Sequence, residues 1–166
     1  DTIASIVQQI QSINYSDLRK EKEAKANDQI YTRPPIKLYV SSYGGSVYDG
    51  FGLIGAILSS KTPVHTISFG KVMSMGFLIA ISGKKRFTYP HTSYMYHSIS
   101  DAAWGKFSEL VESVEEDRRM QQKIDNLVVM STKITQDRLD DVHSRKLDWY
   151  IDAMDALELN CVDEIL

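Results

Sequence analysis

The feature that most constrains this chain is a repeated change of hydrophobic period between residues 36 and 81. Ile36-Lys37-Leu38-Tyr39-Val40-Ser41 alternates apolar and polar side chains, as a half-buried strand requires. Residues 47–58 then place Phe51, Ile54, Ile57 and Leu58 on one side of a helix, and Thr62-Pro63 ends the connection. Val64-His65-Thr66-Ile67-Ser68-Phe69 returns to alternation, and Phe77, Leu78, Ala80 and Ile81 are spaced for a short buried helix. Strand, helix, strand, helix predicts a right-handed crossover and a largely parallel sheet. In such a sheet, functional groups gather where strands end and helices begin.

Two of those junctions carry chemistry. The first strand runs into Ser42-Tyr43-Gly44-Gly45-Ser46. Adjacent glycines reach backbone conformations closed to other residues and let another chain approach their N–H groups, although a tight turn is the plain alternative. At the second junction, Ser74 stands between a glycine-containing bend at Gly70 and the apolar run that follows. Near a helix N-terminus, unpaired N–H groups and the helix dipole favour an anion. A serine there is either a helix cap or a nucleophile, because attack by an alcohol requires loss of its proton and donors ready for the oxyanion.

Elsewhere, Ile3, Ile6, Val7 and Ile10 predict an amphipathic helix over the first dozen residues. Residues 14–35 turn polar and end in Pro34-Pro35, which reads as a long surface loop; the mixed charges of residues 19–25 suit a solvated loop or helix surface. Strands are expected over 86–89 and 93–97, the latter ending in His97, which by itself is structural, exposed or catalytic. Residues 98–105, with Trp104, read as a loop. The longest helix is expected over about 105–133, and its charged middle, Glu115-Glu116-Asp117-Arg118-Arg119, predicts projection from the domain towards a partner. Thr135 and Asp152 read as N-caps of two short helices.

At 166 residues, 43% hydrophobic and 25% charged, the chain suits a single domain over 1–166. One cysteine, Cys161, excludes an internal disulfide and has no ligand-like neighbours, so neither metal nor cofactor is expected. A net charge of -3 gives no broad attraction to nucleic acid or anionic membrane. No apolar run approaches the roughly 20 residues that span a bilayer, and a cytoplasmic protein is expected.

Taken together, Gly44-Gly45 after a strand, Met73-Ser74-Met75-Gly76 at a strand-to-helix turn, Lys85-Arg86-Phe87, Met95-Tyr96-His97 and the ending from Ala156 to Leu166 resemble the Clp protease proteolytic subunit (ClpP) family. Counting back from that ending, the family's triad aspartate falls on Asp148. The chain departs from the family pattern at Tyr43, where proline is usual, at Ser98-Ile99, where Gln-Pro is usual, and at Lys146-Leu147, in place of an acid-Arg pair.

The resemblance implies an α/β, ClpP/crotonase-like fold with a mostly parallel sheet, flanking helices and a long projecting handle helix. It implies a serine endopeptidase that cleaves polypeptides, with Ser74 as nucleophile, His97 as base and Asp148 as its orienting acid. Gly45 and Met75 would supply the oxyanion hole, and Ser46 and Val47 would pair with the substrate backbone. Ser46 rivals Ser74 as nucleophile, and Asp101 and Asp152 rival Asp148. A homo-oligomer is implied, as one heptameric ring or two stacked, served by an AAA+ Clp-type unfoldase. The competing readings are a catalytically silent ring subunit and an acyl-CoA-processing enzyme of the crotonase fold.

Overall fold

A computed structural model describes residues 2–100 and 106–166. Asp101 and the part of the expected loop that holds Trp104 lie outside the described residues. The first helix, α1 (Ile3–Ala26), is twice as long as its apolar repeat suggested, which overturns the loop expected from residue 14. Polar side chains around its middle are anchoring groups. Asn14 Nδ2 donates to Ser60 Oγ at 2.7 Å, and its Oδ1 accepts from the N–H groups of Lys61 and Thr62 at 2.9 and 3.1 Å. Asp17 is buried and accepts from the Tyr31 hydroxyl at 2.7 Å and from Thr62 Oγ1 at 2.8 Å. Beyond them, the Lys, Glu, Arg and Ala residues are strong helix formers, and the helix runs on through them in solvent.

Among the described residues six strands form one sheet: β1 (Ile36–Ser42), β2 (Val64–Met73), β3 (Lys85–Thr88), β4 (Ser93–Tyr96), β5 (Trp149–Ile151) and β6 (Glu164–Ile165). The long strand β2 organises it. One of its edges pairs with β1, while the other pairs first with β3 and then with β4. All these pairings and β3–β6 are parallel; only β4–β5 is antiparallel. The bend expected at Gly70 lies within β2, where Gly70 has φ +64° and the β1 register shifts between Val40 and Ser42. There the glycine absorbs an irregularity that a side chain would resist.

Helix α2 (Val47–Ser59) follows β1 and packs between α1 and α3 (Met75–Ile81), all seven of whose residues are buried. Phe77 meets Tyr94 and Tyr96 edge-on, with ring centroids 6.2 and 6.3 Å apart. Helix α4 (Phe107–Ser131) has buried residues only from Met120 onward, so its first half stands clear of the core as expected of a projecting helix. Helices α5 (Gln136–Ser144) and α6 (Ala153–Glu158) complete the chain. Arg86 joins the last elements. Its guanidinium donates to the carbonyls of Ser131 and Asn160 at 2.7 and 2.8 Å and pairs with Asp163.

Candidate active site

Register explains how residues far apart in the chain meet. Met73 at the end of β2 lies opposite Met95 on parallel β4, and Tyr96 at the end of β4 lies opposite Trp149 on antiparallel β5. Ser74, His97 and Asp148 are each one step beyond those pairs, so the sheet delivers all three to one edge. The Ser74 N–H donates to the Met95 carbonyl at 2.8 Å and fastens the junction.

Ser74 is the N-cap residue of α3 by position, yet its side chain makes no capping bond. It has φ +53° and ψ −125°, a conformation that costs about 1–3 kcal/mol for a residue with a Cβ. This backbone turns Oγ towards His97, whose Nε2 lies 2.9 Å away. The other ring nitrogen, Nδ1, faces Asp148 Oδ1 at 3.5 Å, longer than a tight charge-assisted hydrogen bond. The Asp148 side chain is 58% exposed and that of His97 is 27% exposed, so the acid is the loosest of the three.

Two of the three rivals, Ser46 and Asp152, are committed elsewhere. Ser46 Oγ accepts from Asp49 N at 3.3 Å as the N-cap of α2, and Asp152 Oδ1 caps α6 by accepting from Met154 N and Asp155 N, both at 2.9 Å. His65 lies in β2 beside Phe87, and burial followed by the charges of Lys85 and Lys37 lowers its basicity.

A cavity of about 140 Å³ opens beside Ser74 and His97. Gly45, Val47 and Met75 line it, whereas Ser46 borders a neighbouring depression with Gly44 and Asp49. Gly44 has φ +105°, and a Cβ there would lie 2.7 Å from Ser74 Cβ, so only glycine fits against the serine. The remaining walls combine Leu78, Tyr96, Ile99 and Ile124 with the hydroxyl-bearing Ser98 and Ser100. Sequence reasoning passed over the apolar ones because core and pocket positions share one hydrophobic pattern. Among the described residues, no three His, Cys, Asp or Glu side chains group as metal ligands, and no helix is long and apolar enough to cross a membrane.

This arrangement suits acyl transfer: an alcohol beside an imidazole, next to a glycine turn and a helix entry. Comparison with known proteins leads the same way. The chain is 30% identical over 134 residues to the ATP-dependent Clp protease proteolytic subunit 2 of Treponema pallidum (strain Nichols), a match that covers 80% of this chain and 66% of that relative. The family model for Clp protease matches residues 19–166, a stretch that holds the glycine turn, the strained serine and the whole sheet, and the chain therefore belongs to the Clp protease family.

Proposed function

We propose that this chain is a serine endopeptidase subunit that cleaves unfolded polypeptides. The observation that carries the reading is the 2.9 Å contact between Ser74 Oγ and His97 Nε2, made by a serine whose strained backbone diverts it from capping its own helix. His97 takes the hydroxyl proton as Oγ attacks the scissile carbonyl, and Asp148 stabilises the imidazolium that forms. The N–H groups of Gly45 and Met75 receive the oxyanion, a task worth about 3 kcal/mol per donor. The intermediate collapses to an acyl-enzyme as His97 returns the proton to the leaving amine. Water, deprotonated by the same imidazole, then releases the acid. The backbone at Ser46 and Val47 pairs with an extended substrate, which favours cleavage with little sequence preference outside the cavity.

The relative's name, an ATP-dependent proteolytic subunit, supports work as one subunit of an ATP-dependent assembly; the resemblance of the motifs extends that reading to a homo-oligomer, one heptameric ring or two stacked, fed by an AAA+ unfoldase. A catalytically silent ring subunit is the second reading, favoured by one observation: Asp148 is exposed and 3.5 Å from the imidazole. A fluorophosphonate probe separates the two. Labelling of the assembled protein that disappears in Ser74→Ala supports the peptidase; no labelling of a well-folded oligomer selects the silent subunit.

A further inference from the structure

The His97 ring contacts Asp148 only loosely, but the backbone on both sides of it is tied to one helix. Tyr96, directly before His97, is 2% exposed, and its hydroxyl donates to Asp125 Oδ1 at 2.6 Å. Two residues after His97, the N–H of Ile99 donates to Gln121 Oε1 at 2.7 Å. Gln121 Nε2 then donates to Asp125 Oδ1 at 2.8 Å and to the Tyr96 hydroxyl oxygen at 3.2 Å, which closes the circuit. Gln121 and Asp125 are four residues apart on α4, so a single helical face supplies both anchors.

Proton inventory orders this cluster. The Tyr96 hydroxyl has one proton and gives it to the carboxylate, so its oxygen accepts from His143 Nε2, 2.9 Å away, as well as from Gln121. That direction corresponds to the His143 tautomer with its proton on Nε2. Burial first, and then the Asp125 carboxylate, push the Tyr96 phenol well above its ordinary acidity range, which keeps it a donor. Polar groups buried beside the cavity cost desolvation that aliphatic packing would not. Their return is orientation, because a satisfied network admits one arrangement where apolar contacts admit several.

We propose that Gln121 and Asp125 are positioning residues that hold His97 against Ser74, through the Ile99 N–H and the Tyr96 hydroxyl. The proposal rests on Ser74 and His97 being the reacting pair. Displacement of a catalytic group by about 1 Å costs on the order of 100-fold in rate, which sets the scale of the effect.

The test uses the assembled protein, a fluorogenic peptide, the fluorophosphonate probe and hydrogen exchange over residues 97–100. Gln121→Ala removes a half-buried side chain from a helix surface and is expected to fold. It should lower kcat by roughly 10- to 100-fold with KM within about threefold, slow labelling in parallel and speed exchange at 97–100. Asp125→Ala should match it, while Asp125→Asn, which keeps an acceptor for Tyr96, should stay close to the wild type. The double variant Gln121→Ala with Asp125→Ala should lose little more than either single, because the two act as a unit. Should Asp125→Ala fail to fold, Tyr96→Phe tests the same link without emptying the core. Unchanged kcat and unchanged exchange in Gln121→Ala would overturn the proposal, as would an Asp125→Asn variant as impaired as Asp125→Ala. A wild-type protein that never labels at Ser74 overturns the peptidase reading instead, and the exchange measurement still decides the clamp.

Discussion

Ser74 and Gly44 form one unit at the residue scale. An ordinary N-cap serine holds an extended backbone and points its oxygen at the helix N–H groups. Ser74, at φ +53°, points its oxygen away, and Gly44 packs against its Cβ side. Gly44→Ala therefore meets two obstacles, a left-handed φ of +105° and a Cβ 2.7 Å from that of Ser74, both of which push on the turn that holds Ser74. The expected cost is about 1–3 kcal/mol of stability, together with at least a tenfold loss of fluorophosphonate labelling. Gly52 is the control: it lies in α2, and a Cβ there meets nothing within 4 Å. Gly52→Ala should gain up to about 1 kcal/mol and leave labelling intact, as alanine favours a helix. Denaturant midpoints check both, and equal behaviour of the two variants would refute a special role for Gly44.

At the scale of elements, α1 depends on partners that no local pattern displays. Its first turns are legible because Ile3, Ile6, Val7 and Ile10 repeat at helical spacing, whereas Asn14 and Asp17 look like loop residues until Ser60, Thr62 and Tyr31 are brought to them. The strand β1 was legible from alternation because it buries one face, whereas β2, read from the same pattern, buries Val64, Thr66 and Ser68 on one face and Ile67 on the other and leaves Phe69 exposed. The Tyr31 hydrogen bond, foremost, holds the Asp17 carboxyl below its usual range despite burial. A depressed carboxyl contributes stability that is complete above its unfolded pKa of about 3.9 and fades as pH falls through the lower, folded value. Asp17→Ala should thus cost about 2–4 kcal/mol near pH 7, because it leaves Tyr31 and Thr62 without their acceptor. The gap from the wild type should narrow below about pH 4, where the unfolded wild-type chain takes up the proton that the folded carboxylate still refuses. Urea unfolding at pH 7, 5 and 3 measures this, and a gap that widens on acidification would contradict it.

For the whole molecule, the sheet register does what no motif can, since it sets Ser74 and His97, from the middle third of the chain, and Asp148, from the last third, at one end of the sheet. The residue types and their order were legible in the sequence, but not the loose third contact, which depends on how the turn after α5 meets β4. Nor was the Tyr96–Asp125–Gln121 cluster, whose members read separately as a strand residue and two helix-surface positions. The first half of α4 poses the remaining question at this scale. Phe107, Val111 and Val114 recur at four- and three-residue steps on a stretch with no buried side chain, and are 82%, 40% and 50% exposed. Among the described residues nothing covers this stripe, which fits a contact face for another molecule; under the proposed ring assembly that molecule is a second copy of this chain. Val111→Glu with Val114→Glu keeps good helix formers on the exposed turns but places two carboxylates in the contact. Native mass measurement should then show lower oligomers at concentrations where the wild type is assembled, with helical circular dichroism unchanged. Peptide turnover per subunit should fall in step with the assembled fraction and recover as protein concentration rises, because association is governed by mass action. An unaltered mass distribution would place the subunit contacts on another face.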